Sequence, residues 1–272
     1  MKKHFIFLCF LLTTGYLYGQ DLAATTSVLS SIIREIGGGK IAVATLVPPG
    51  SCPGHFDLKV NDLKTIENSG ILFAHGFEEY LKDITSAVKI PKFKPVIVEI
   101  KGSWLVPENQ KEAYLKISSI LSEKFPRHRG FFEQNREKAE EEINKTDKEI
   151  KKTGSERKLK GTPAICNSHI REVLEYTGFE VVADYGRKEE LTPAEIKNLI
   201  KLCIEKKVRI VIDNLQAGPD TGRVIADELK IPHTAISNFP DVLPGTPTLR
   251  HTLLEDVKRI IDAYESAQNT TH

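Results

Sequence analysis

The chain has 272 residues, 40% hydrophobic and 28% charged, which is long and apolar enough to bury a proper core as one large domain or two medium ones. Its 38 Lys and Arg nearly cancel 37 Asp and Glu, so no overall field points to nucleic acid or to an anionic membrane surface. Partners therefore have to be argued from individual sites.

The opening stretch, MKKHFIFLCFLLTTGYLYGQ, joins two lysines to an apolar run from Phe5 to Leu12 and ends in small or neutral residues. It reads as a secretory signal with a cleavage point after Gly19, too short to span a bilayer comfortably. No small residue precedes Cys9 as a lipoprotein signal would require, so the expected product is a soluble periplasmic or extracellular protein without a lipid anchor. Cleavage leaves Cys52, Cys166 and Cys203, which allow at most one internal disulfide. In IKNLIKLCIEKK, Leu199, Leu202 and Cys203 share a helical face, so Cys203 reads as a packed thiol.

The first elements run as a short strand, a helix beginning near Ser27, a glycine stop at Gly37 to Gly39, and a strand from Ile41 to Leu46. Strand, helix, strand in that order implies a right-handed parallel unit. The alternation continues with a helix near Val60 to Asn68, a strand Ile71 to Ala74, a helix around Glu78 to Val88 and a strand Val96 to Ile100, making a four-strand lobe. Past GSWLVPEN the pattern turns helical, breaks at KFPRHRGF, and resumes in a stretch dense in Glu and Lys at i,i+3 and i,i+4 spacing. That spacing predicts a solvated helix stabilised by many weak pairs, with no ligand needed to explain its charges.

Alternation then resumes. Strand TPAICNS leads to a helix from His169, strand FEVVADY to a helix opened by LTPAE, strand RIVIDN to a helix Thr221 to Leu229, and strand HTAIS to a terminal helix from Thr248. In LTPAEI, Thr192 falls at the N-cap, Pro193 at N1 and Glu195 at N3. The expected division is a signal over 1–19, an N-terminal α/β lobe over 20–128, a connecting helix over 129–152 and a C-terminal α/β lobe over 153–272.

Ligands of open parallel sheets bind at the carboxyl ends of the strands, so residues at those ends are the candidates. His55 follows the second strand through the stiff loop VPPGSCPGHFD, and His75 ends the third in FAHG. In the second lobe His169 follows the first strand, and Asp241 sits in NFPDVLPGTP after the last. Each alone fits a turn or cap. Together, three imidazoles and a carboxylate are a chemically complete set for a divalent transition metal. His128, His233, His251 and His272 fall in a break, at a strand start, on the last helix and at the tail, and read as structural or surface residues. Cys52-x2-His55 and Cys166-x2-His169 repeat one spacing, once per lobe. Their thiols could ligate zinc, form a disulfide across the lobes, or lie inert, and an exported protein favours the last two together over ligation.

The stretches ATTSVLSSIIREIGGGK, LVPPGSCPGHFDL, ILFAHG, WLVP, NSHIREVLEYTGFEV, LTPAEIKNLI and NFPD, in that order, resemble the metal-binding solute-binding proteins of zinc and manganese ABC transporters (cluster A-I), over nearly the whole mature chain. The resemblance implies two parallel-sheet α/β lobes joined by one long rigid backbone helix, with a metal site in the inter-lobe cleft. It makes His55 the first metal histidine, His169 the third ligand and Asp241 the carboxylate ligand. The family's histidine two residues before the Trp-Leu pair is replaced by Gly102, and His75 stands where relatives often have Asn. His75 is therefore the expected substitute. The PGH of the loop replaces the usual Asp-Pro-His, Cys52 is extra, and the His-rich loop of some zinc-specific relatives is missing.

The expectation is a monomeric metal-capture protein that hands its ion to an ABC permease in the membrane, with no nucleic acid partner. Zn²⁺ is favoured over Mn²⁺ because the set is rich in nitrogen and sulfur. Two rivals are a metal-dependent hydrolase using Glu78 or Glu79 as general base, and a metal-binding adhesin of the same fold. Neither an HExxH motif nor a nucleophile elbow supports the hydrolase.

Overall fold

A computed structural model describes residues 21–269; the expected signal and its cleavage point lie outside them. Strands β1 (Leu22–Ala24), β2 (Val43–Thr45), β3 (Leu72–Ala74) and β4 (Val96–Ile97) form one parallel sheet in the order β2-β1-β3-β4. Strands β5 (Pro163–Asn167), β6 (Glu180–Tyr185), β7 (Ile210–Asn214) and β8 (His233–Ile236) form a second, in the order β6-β5-β7-β8. Both sheets reverse direction of growth beside their first strand. That reversal opens a crevice at the carboxyl ends of β1 and β3 in one lobe and of β5 and β7 in the other.

The helices follow the alternation: α1 (Ser27–Gly37), α2 (Val60–Ser69) and α3 (Leu81–Ala87) in the first lobe, and α6 (Arg171–Thr177), α7 (Pro193–Glu205) and α8 (Asp220–Leu229) in the second. Between the lobes run α4 (Pro107–Lys124) and α5 (Arg129–Glu156), and α9 (Leu249–Asn269) closes the chain. The break between α4 and α5 is a 3-10 turn at Pro126–His128, where proline removes a donor and stops the first helix. At 28 residues α5 is longer than the charge pattern alone suggests, about 42 Å at roughly 1.5 Å per residue. The start of α7 is as expected: the Thr192 hydroxyl accepts from the Glu195 amide, and the Glu195 carboxylate accepts from the Thr192 amide.

Strand alternation sorts the core. Leu22 and Ala24 of β1, with Cys166, Ile210 and Ile212 of the second sheet, face one continuous buried cluster that runs through Ile117 on α4, Phe132 and Ile143 on α5 and Leu253 on α9. Ala23 and Leu72 face a separate outer layer with Tyr80 and Ile84, and Ile165 and Val211 face another with Cys203 and Ile225. The lobes are thus fused through a shared core. Polar ties reinforce the joint: the Ser27 hydroxyl donates to the Pro240 carbonyl at 2.8 Å, and Arg250 pairs with Glu35 at 2.6 Å. Such a joint limits rigid-body movement of one lobe against the other.

The cysteines resolve as single thiols: Cys52, Cys166 and Cys203 are all free. Cys203 packs in the core as expected. Cys166 does not face the crevice. Strand alternation turns it into the shared core, where burial drives its thiol far above the usual range and keeps it protonated. No bridge links it to Cys52.

Candidate metal centre

The cleft between the lobes encloses a cavity of about 920 Å³. Both crevices open on it. His75 and Trp104 line it from the first lobe, His169, Arg187 and Asn214 from the second, and Cys52 from the Pro-Gly loop.

His169 is held in a fixed orientation by Asn167. It sits in a 3-10 turn, Ser168–Ile170, directly after β5, and the Asn167 side-chain carbonyl accepts from both the His169 amide at 3.1 Å and its ring Nδ1 at 2.9 Å. Two donors on one oxygen fix the tautomer: the proton is on Nδ1 and the Nε2 lone pair is free. Partial burial, helped by the nearby Arg187 charge, lowers the His169 pKa and keeps the ring neutral.

His75 is built differently. It follows β3 with Gly76 at φ +99°, the left-handed turn that glycine permits, and its ring packs against Phe77 at 5.1 Å and edge-on to Trp104 at 4.7 Å. Nε2 shares a hydrogen bond with the Thr26 hydroxyl at 2.8 Å, whereas Nδ1 is buried without a partner. Burial pulls the pKa down to about 4, against a smaller opposing pull from Glu78. The ring is neutral at physiological pH and has one unused nitrogen.

Beneath it, the Glu78 carboxylate accepts from the Thr25 hydroxyl at 2.5 Å and from the amides of His75 at 3.0 Å and Gly76 at 2.7 Å. These bonds make Glu78 the cap of the strand-to-helix turn. A general base needs a free oxygen aimed at substrate, and Glu78 is spent on the fold. Glu79 is exposed.

His55 and Asp241 occupy the strand ends expected of them but not the cavity wall. His55 ends the 3-10 turn Pro53–His55 and is exposed at the rim, where an Arg187 Nη donates to its Nδ1 at 2.7 Å. The same guanidinium donates to Cys52 Sγ at 2.5 Å. Asp241, at φ +64°, accepts from the Arg34 guanidinium of α1 at 2.6 Å. Among the described residues, no three His, Cys, Asp or Glu side chains stand close enough together to hold one ion. The structure thus brings His75 and His169 to one cavity, leaves His55 at its edge and draws Asp241 to Arg34.

Gly102 explains why a histidine is missing before Trp104. Its φ is +81°, and a Cβ built there would collide with the Glu172 carboxylate, which accepts instead from the Ser103 amide at 2.5 Å and the Asn109 side chain at 3.1 Å. The carboxylate of the second lobe fills the space. Arg187 is the cavity-lining residue that the sequence reading misses. Its only signal is position, two residues after β6 and so at a fifth strand end.

Comparison with known proteins decides the family. The model of the family described as "Zinc-uptake complex component A periplasmic" matches residues 22–267. The chain belongs to this zinc-uptake component A family. A candidate metal-binding protein of Thermotoga maritima is 30% identical over 189 residues, 67% of this chain and 63% of that relative, so the match spans just under two thirds of the relative's length. The metal ABC transporter substrate-binding lipoprotein SloC of Streptococcus mutans is 21% identical over 242 residues, 79% of each chain. Among solved structures, the Cd-bound periplasmic metal-binding protein of Candidatus Liberibacter asiaticus superposes with a TM-score of 0.76 at 16% identity, covering 89% of this chain and 98% of its own. That likeness carries the fold, and the fold is the one expected: two parallel α/β lobes on a long helix. Membership places the chain in a family of periplasmic zinc-uptake components, a family that is not a class of enzymes.

Proposed function

We propose that this protein captures zinc, in preference to manganese, in the inter-lobe cleft and delivers it to a membrane ABC permease. The observation that carries the reading is the pair of neutral histidines at the two crevices, His75 and His169, facing one cavity from opposite lobes. Neutral imidazoles at both walls are donors for a borderline metal, and manganese favours more oxygen than they supply.

The proposed ligands are His55, His75, His169 and Asp241, and they differ in readiness. His169 presents a free Nε2. His55 has to exchange Arg187 for the ion, His75 has to turn from Thr26, and Asp241 has to leave Arg34. Because donors come from both lobes, occupancy couples to small movements of loops, while the shared core keeps the lobes in place. Delivery by a monomer is the simplest arrangement.

Isothermal titration and thermal melts with Zn²⁺, Mn²⁺ and EDTA test this reading. Zinc at a hundredfold excess over its dissociation constant raises stability by about 2.7 kcal/mol, with a smaller rise for manganese. No rise with either ion refutes metal capture, and a larger rise with manganese reverses the preference. Alanine at each of the four positions assigns the ligands, and a His75→Ala variant of full zinc affinity removes His75.

A further inference from the structure

The loop VPPGSCPGHFD places Cys52, not His55, on the cavity wall. Cys52 precedes the 3-10 turn Pro53–His55, whose closing bond runs from the His55 amide to the Cys52 carbonyl at 3.1 Å, so the two-residue spacer sets thiol and imidazole side by side. Both meet one guanidinium. Arg187, from the opposite lobe, donates to Cys52 Sγ at 2.5 Å and to His55 Nδ1 at 2.7 Å, and its charge also reaches His169.

This pairing is chemically odd. Arginine at a cleft ordinarily meets a carboxylate in a forked contact. Among the described residues Arg187 forms no ion pair; its side-chain partners are a thiol and an imidazole, both good ligands for a soft or borderline metal. Independently, His75 lines the same cavity, more than nine-tenths buried, with Nδ1 lacking any partner. A half-buried thiol is also a liability in an oxidising compartment unless it is used. The other two cysteines avoid that liability by lying in the core.

We propose that Cys52 is a further metal ligand, a thiolate that joins His55, His75 and His169 of the proposed set across the two lobes, and that Arg187 is a positive side chain standing between these donors which the incoming ion displaces. The proposal deepens the metal-capture reading and rests on it. It supplies the donor that Gly102 cannot, and it accounts for donors that stand too far apart while a guanidinium lies among them. The exchange balances without redox chemistry: the Cys52 S–H bond breaks, its proton passes to solvent, a bond from sulfur to the ion forms, and Arg187 keeps its charge and turns to water.

Cobalt(II) added to the purified protein reads the site, because a thiolate ligand gives a charge-transfer absorption in the near ultraviolet. The expected result is that band in the wild type, its loss in Cys52→Ser, zinc affinity weakened by about tenfold or more in the same variant, and zinc protection of Cys52 from iodoacetamide in peptide maps. In Arg187→Gln, zinc affinity is expected to rise about threefold or more, since a competing positive charge is gone. Stoichiometric cobalt binding without the band, or a band that survives Cys52→Ser, overturns the role of Cys52 and leaves metal capture standing. Unchanged or weaker zinc binding in Arg187→Gln overturns the role of Arg187. A wild type that binds neither cobalt nor zinc overturns both this proposal and the reading beneath it.

Discussion

His75 and His169 each lie just past a strand that borders the crevice of their lobe, yet their surroundings are opposite. His169 is at the surface of the cleft, with Asn167 holding its Nδ1 proton and leaving Nε2 free. His75 is buried under Phe77 and Trp104, bound to Thr26 and neutral down to about pH 4. Topology delivers a residue to the crevice, and the local partners decide whether it meets a ligand at once or must first be released. The hydrogen bond from the His169 ring Nδ1 to Asn167 is what leaves its Nε2 free.

The largest expected effect follows from that readiness. His169→Ala should weaken zinc binding by about a hundredfold or more, and Asn167→Ala by about tenfold, because it removes only the acceptor that fixes the tautomer. Isothermal titration measures both. If Asn167→Ala costs as much as His169→Ala, or nothing, then the contrast between an oriented and a sequestered histidine is misdrawn.

The fold was legible because its signals are local. Short apolar runs such as LAA and AIC, a capping box at Thr192 and a proline break near Pro126 each need only a few residues to be recognised. Strand ends could be located from the same signals, so the residues bordering the cleft were accessible in sequence. Side-chain partners across the lobes were not. The pairing of Arg34 with Asp241 joins residues 207 positions apart, and that of Arg187 with Cys52 joins residues 135 apart. No spacing rule reaches across such separations. Cys166 shows the same limit: its spacing to His169 copies the Cys52–His55 pair, but a strand and a loop aim side chains by different rules, and the strand aims Cys166 into the core.

The next effect concerns stability. His75→Ala removes a ring packed between Trp104 and Phe77 and should cost about 2 kcal/mol, a fall in Tm of about 4–8 °C, in protein treated with EDTA. His75 also sets an acid limb. Its folded pKa of about 4 lies below the ordinary 6.5, so between those values the unfolded chain binds a proton that the folded chain refuses. Folded stability is therefore retained above about pH 6.5 and lost progressively as pH falls toward 4. In His75→Asn this loss should be shallower, as urea titrations at pH 7, 5.5 and 4.5 will show; an unchanged slope would mean that His75 is not sequestered as the structure has it.

The smallest effect is at Asp241, the third kind of strand-end residue, exposed and already paired. Its bond to Arg34 is at the surface, with the two side chains 37% and 43% exposed, so the pair contributes no more than about 1 kcal/mol in water and salt. Arg34→Ala should therefore move Tm by no more than about 3 °C. The same change frees the carboxylate. If Asp241 joins the ion, zinc binding should tighten by a few fold, because the binding energy is no longer offset by breaking the ion pair. An Arg34→Ala variant with unchanged zinc affinity, paired with an Asp241→Asn variant that is also unchanged, would place Asp241 outside the site. It would then serve only to hold the loop after β8 against α1, beside the bond from Ser27 to the Pro240 carbonyl.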